Sequence, residues 1–132
     1  SKRLRIARLY TIATPHRGAV MAEQGAVVDP LSRDMHPGSE FIRQLNGHRA
    51  LESYRIIAYT CLSDNVVGPV NSAPPGVTPW WIPPEPFTRP HGGAYHDPRI
   101  IADIARRLRG EPAFTTEPVT ALPGGGLVRP TE

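Results

Sequence analysis

Tyr54–Leu62 reads YRIIAYTCL, nine residues that are apolar almost without interruption. A half-buried strand alternates apolar and polar residues, whereas a run such as this is the pattern of a strand covered on both faces, as in a parallel sheet flanked by helices. Upstream, residues 4–14 (LRIARLYTIAT) are rich in Ile, Leu, Tyr and Thr and end at Thr14-Pro15. There the missing proline N–H and the clash of its ring with the preceding residue favour an extended stop. Two strands are therefore expected. Between them, residues 19–24 suit a short helix and Pro37–Asn46 a better one, with Phe41, Ile42 and Leu45 as its apolar positions and Gly47 as a left-handed cap. Strand, helices and strand make a β-α-β unit, whose crossover is right-handed in nearly all cases, so both strands end on one edge. The loops after Thr14 and Leu62 then face one crevice.

Downstream, residues 65–90 are Pro-rich, contain both tryptophans and have no helical period. An irregular excursion of this length in a small domain is usually functional or mobile. The clearest helix starts at Asp97. Its carboxylate can accept from an orphan N–H, Pro98 fits the first helical position, and Ile100, Ile101, Ile104 and Leu108 build an apolar stripe closing on Arg106, Arg107 and Arg109. Gly110 and Pro112 stop it. Residues 1–110 thus read as one α/β unit with an incomplete sheet, and residues 111–132, without periodicity, as a disordered Pro/Gly-rich tail.

Composition narrows the classes. Fifteen Lys plus Arg against twelve Asp plus Glu give a formal charge of +3, and the arginines are dispersed rather than gathered or interleaved with aromatics, so nucleic acid is not an expected partner. Twelve Gly and sixteen Pro show no collagen-like period. No apolar run approaches the roughly 20 residues of a membrane-spanning helix. One cysteine gives no disulfide framework and no Cys-rich zinc site; neither metal nor cofactor is expected. The first residues lack the apolar core and cleavage site of a signal peptide, which leaves cytoplasm as the default location and secretion of a longer precursor open.

Three polar clusters lie at or beyond strand ends: Thr14-Pro15-His16-Arg17-Gly18, Ser63-Asp64-Asn65 and His91-Gly92-Gly93. In open α/β sheets, ligands bind outside the carboxyl ends of the strands. An aspartate on one such loop and a histidine on a later one can form an acid–base pair, because a carboxylate on one imidazole nitrogen fixes the tautomer and leaves the other free to take a proton. A strand-end aspartate is also a common turn former. Cys61, inside the apolar run, reads as a small core hydrophobe rather than a nucleophile. Trp80 and Trp81 can either line an acyl pocket or anchor their loop.

These clusters carry a resemblance to a known family. RLYTIATPHRGAVMAE (8–23) is similar to the sixth strand and Thr-Pro-His-x-Gly turn of lipase- and esterase-type α/β-hydrolases. DMHPGSEFIRQLN (34–46) looks like the segment that follows it in many members. YRIIAYTCLSDNVVGPVNSA (54–73) resembles the seventh strand with its acid residue, and HGGAYHDPRIIADIARRL (91–108) the catalytic-histidine loop and last helix. The order is the family's own.

The resemblance implies the C-terminal part of an α/β-hydrolase fold and a serine hydrolase cleaving carboxylic esters. Asp64 would be the acid and His91 the base, with His16 in the turn outside the triad. His96, beside the helix cap Asp97, is the rival to His91. The family's Gly-x-Ser-x-Gly elbow does not occur among the serines Ser1, Ser32, Ser39, Ser53, Ser63 and Ser72; Ser39 reads as a helix cap. The nucleophile is therefore expected to precede residue 1, and the chain alone to be inactive. Expected partners are an ester or lipid substrate and a complementary N-terminal half. The alternative is a non-catalytic remnant or interaction module that pairs through an exposed sheet edge.

Overall fold

A computed structural model of the chain describes residues 6–25, 29–49, 52–113 and 122. Its sheet has three parallel strands in the order β1 (Arg8–Ile12), β2 (Arg55–Cys61), β3 (Trp80–Ile82). Arg8 lies opposite Arg55 and Ile12 opposite Tyr59, while Tyr59 to Cys61 face Trp80 to Ile82 on the other side. β2 is thus the central strand, and after Arg55 every residue of it is buried, as its unbroken apolar run requires.

The two-residue period of the strand separates its side chains into two layers. Ile57 and Tyr59 pack with Ala13, Ala94 and Ile100 on one face, joined by Trp80, Ile82 and Ile104. Ile56 and Ala58 pack with Ala73 on the other, joined by Leu9, Tyr54 and Val77. On that second face Thr60 shares a 3.1 Å hydrogen bond with Ser72, so its hydroxyl is satisfied in the core.

The described residues also form five helices: α1 (Ala22–Gly25), α2 (Pro30–Met35), α3 (Glu40–Arg49), α4 (Pro90–Ala94) and α5 (Pro98–Leu108). α5 starts as the sequence implies: Asp97 accepts from the Arg99 N–H and Pro98 takes the first turn. Its buried stripe is narrower than expected. Ile100 is buried and Ile104 packs on the same cluster, while Ile101 and Leu108 point to solvent. Burying Ile100 stabilises the α5–sheet interface by about 1.5–3 kcal/mol.

Several sequence expectations need correction. β1 is shorter than residues 4–14 and stops at Ile12, because Ala13 turns into the left-handed region at φ 48. α3 begins later than Pro37, after a turn with Gly38 at φ 77, and Ser39 caps it by accepting from the Ile42 N–H. Gly47 does not cap α3 but lies within it, and of its apolar positions Ile42 is buried while Phe41 and Leu45 are exposed. α2, with Asp29 as N-cap and Pro30 at its start, is a helix beyond those the sequence pattern implies.

The excursion 65–90 is not wholly irregular: it holds a 3-10 turn (Val70–Ser72), β3 and the start of α4. Glu111–Ala113 fold back at the end of α5, where the Pro112 carbonyl accepts from Arg106 Nε at 2.7 Å. Of the tail expected to be disordered, residues 114–121 and 123–132 lie outside the described residues. Among the described residues no helix is long and apolar enough to cross a membrane.

Candidate active site

All three strands run in parallel, so the segments after Ile12, Cys61 and Ile82 leave from one edge of the sheet. The chain turns sharply after β2: the Asp64 N–H donates to the Cys61 carbonyl at 3.0 Å. This turn buries Asp64, whose side chain has no exposed surface. Its Oδ1 accepts from the backbone N–H groups of Val66 (2.9 Å) and Val67 (3.0 Å). Its Oδ2 is 2.9 Å from Nδ1 of His91. A buried carboxylate needs compensation of this kind, since an unpaired charge removed from water is costly.

His91 comes to Asp64 on α4. Arg89 is extended before the helix and Pro90 occupies its first position, where no N–H is needed. Ala94, at the other end, is buried against the sheet cluster. These contacts fix the α4 backbone that carries the imidazole, which remains about a quarter exposed.

A carboxylate only accepts, so Nδ1 carries the proton of the Asp64 bond and Nε2 of the neutral ring is the acceptor. The hydroxyl of Tyr95 is 3.4 Å from that Nε2, and the two rings meet edge to face with centroids 5.6 Å apart. Burial, and secondarily the Asp64 charge, push the Tyr95 phenol above its ordinary pKa, so it stays a protonated donor at neutral pH.

The other candidate residues serve the frame. His16 Nε2 is 3.0 Å from Thr11 Oγ1, and the His16 carbonyl accepts from Asn46 of α3 at 2.9 Å. Burial, then the Arg49 charge, lowers its pKa, favouring neutral imidazole. His96 is exposed one residue before the cap of α5; the Asp64 carboxylate goes to His91. Cys61 is buried with its Sγ 3.5 Å from Ser63 Oγ, consistent with a core thiol. Arg17 ties the turn after β1 to the opposite loop through the carbonyls of Ala73 (3.0 Å) and Pro74 (3.3 Å).

Trp80 and Trp81 belong to β3 and, with Tyr59, Ile82, Ile100 and neighbours, line an open apolar cleft of about 540 Å³ between β3 and α5. His91 is not among its lining residues. Arg107 lies over the Trp80 ring, 4.8 Å from its centroid, so Trp80 also anchors the edge strand.

The sequence puts the segments after Thr14 and Leu62, and with them Asp64, on one edge; His91 follows no strand read from the sequence and is paired with Asp64 there only by the resemblance, and Tyr95 is not identified. The available signal was the four-residue interval from His91 to Tyr95, which puts both on one side of a helical turn. Comparisons of the chain with protein-family models, with curated proteins and with solved structures found no match.

Proposed function

We propose that the chain is the C-terminal portion of an α/β-hydrolase that cleaves carboxylic esters, with Asp64 and His91 as acid and base of a Ser-His-Asp triad. The observation that carries this reading is the 2.9 Å bond between a fully buried carboxylate and Nδ1 of a partly exposed imidazole at the carboxyl edge of a parallel sheet. The order of the two residues and the segments around them agree with the hydrolase resemblance. In this mechanism Nε2 of His91 takes the proton of a serine hydroxyl as it attacks the ester and returns it to the leaving alcohol. Asp64 holds the tautomer and stabilises the imidazolium. The serine and the oxyanion donors come from a segment N-terminal to this chain, and the substrate is an ester or lipid.

The test is made on the polypeptide obtained by extending the reading frame upstream through a Gly-x-Ser-x-Gly pentapeptide. Turnover of an activated ester is expected to fall by several orders of magnitude in His91→Ala and severely in Asp64→Asn, because triad members act as a unit. His96→Ala and His16→Ala should keep much more activity. A dead His96→Ala beside an active His91→Ala overturns the assignment.

A second reading has its own observation. β1 and β3 are the edge strands of the sheet formed by the described residues, and an edge strand is a template for pairing with another chain. Under that reading the chain is a non-catalytic interaction module, and no Gly-x-Ser-x-Gly lies upstream in frame.

A further inference from the structure

The site described above contains a hydroxyl of its own. Tyr95, His91 and Asp64 form a continuous relay: phenol oxygen to Nε2 at 3.4 Å, Nδ1 to carboxylate at 2.9 Å. We propose that Tyr95 is a covalent acyl-acceptor site, a tyrosine whose hydroxyl is activated by His91 for attack on activated esters and related electrophilic acyl donors. The proposal goes beyond ester hydrolysis by a serine and rests on the same Asp64–His91 pair.

Selectivity for Tyr95 follows from the surroundings of the four tyrosines. The Tyr10 hydroxyl is buried. That of Tyr59 is buried and donates to Asp103 at 2.7 Å, which withdraws it from reaction. Tyr54 is partly buried and packs beside the Ile56–Ala58 cluster. Tyr95 is the one at 43% exposure, and its hydroxyl meets an imidazole nitrogen that the Asp64 bond leaves as a proton acceptor. Because its phenol is held above the ordinary pKa, little phenolate is present at neutral pH. A base that removes the proton during attack therefore matters more here than at a free tyrosine.

The chemistry balances without another reagent. Tyr95 Oη bonds to the acyl carbon, the phenolic proton passes to Nε2 of His91, and the bond from acyl carbon to aryl oxygen breaks with the pair leaving on the aryl oxide. His91 then returns its proton to water. The products are an aryl ester on Tyr95 and a free aryl oxide.

The chain itself, treated with 4-nitrophenyl acetate at neutral pH and followed by peptide mass mapping, tests the proposal. One acetyl group is expected on Tyr95, forming about 10-fold or more faster than on N-acetyltyrosinamide under the same conditions, a threshold set below the roughly 100-fold lower end of general-base effects because the Oη–Nε2 contact is 3.4 Å. His91→Gln should bring that rate down to the free-tyrosine value, Asp64→Asn should lower it several-fold, and Tyr95→Phe should remove the label. Acetylation of Tyr95 no faster than the free amide overturns the proposal, as does a rate unchanged in both His91→Gln and Asp64→Asn. An acetyl group that forms and decays on His91 without reaching Tyr95 also overturns it. A failure of the hydrolase reading shows separately, as ester turnover by the extended polypeptide that is indifferent to His91.

Discussion

Asp64 reaches His91 with Oδ2 alone, because the backbone N–H groups of Val66 and Val67 already hold Oδ1. One side chain therefore closes a turn and orients an imidazole, and the two roles separate on substitution. Asp64→Asn keeps an oxygen for the turn but presents an amide donor to Nδ1, so the ring must move its proton to Nε2. The variant should fold with a loss of about 1 kcal/mol or less while the His91 tautomer inverts, read from its imidazole ¹⁵N shifts. Asp64→Ala leaves both turn N–H groups without this acceptor and should lose about 2–3 kcal/mol. Equal stability of the two variants would count against the turn role.

Gly18 is the residue of the Thr14–Gly18 turn that accepts no side chain. Its φ is +89, and a Cβ there would lie 2.6 Å from Pro37 N and 2.7 Å from Pro37 Cα, both backbone atoms that cannot swing aside. Gly18→Ala should cost about 2–4 kcal/mol, from left-handed strain plus overpacking. Chemical denaturation measures it. A loss below about 1 kcal/mol means the turn and the segment before α3 are not packed as described.

The α5–sheet interface has a polar clamp in which Asp103 accepts from the Tyr59 hydroxyl and from Arg107 Nε. Burial, then the bond to Asp103, raises the Tyr59 pKa well above 10. An acid group that ionises less readily when folded contributes stability that is present below about pH 10 and lost as pH rises from there toward the folded value. Tyr59→Phe should cost about 1–2 kcal/mol at pH 7 and flatten the loss between pH 9 and pH 11, both read from denaturant midpoints at each pH. An unchanged alkaline slope would show that Tyr59 is not the group responsible.

The physical reasons for what the sequence made legible are specific to each element. β2 was readable because a strand covered on both faces leaves a continuous apolar run, and the start of α5 because Asp97 and Pro98 encode it locally. β3 was not. Trp80–Ile82 are three residues between Pro79 and Pro83, too few for a period, and they become a strand because β2 offers an open edge. α4 was hidden for a related reason: Gly92 and Gly93 oppose helix formation, yet Ala94 is held in the sheet cluster. Strand-end placement accounts for Asp64 alone; with β3 illegible, His91 is paired with it only through the resemblance, and Tyr95 depends on the same unforeseen turn of helix.

His16 gives the acid-side prediction. Its imidazole bridges β1 through Thr11, and burial followed by the Arg49 charge sets its pKa below the ordinary 6.5. On acidification the unfolded chain takes up a proton at this position before the folded chain does. Stability rises with pH wherever the unfolded state binds more protons, so it should fall as pH drops through about 6.5 and level off once the folded pKa is passed. His16→Gln retains an amide that can meet Thr11 and does not titrate. Its denaturant midpoint should therefore depend less on pH between 7 and 5 than that of the unsubstituted chain. A steeper dependence in His16→Gln would mean that the folded state favours the protonated ring, and the packing assigned to the Thr14–Gly18 turn would be wrong.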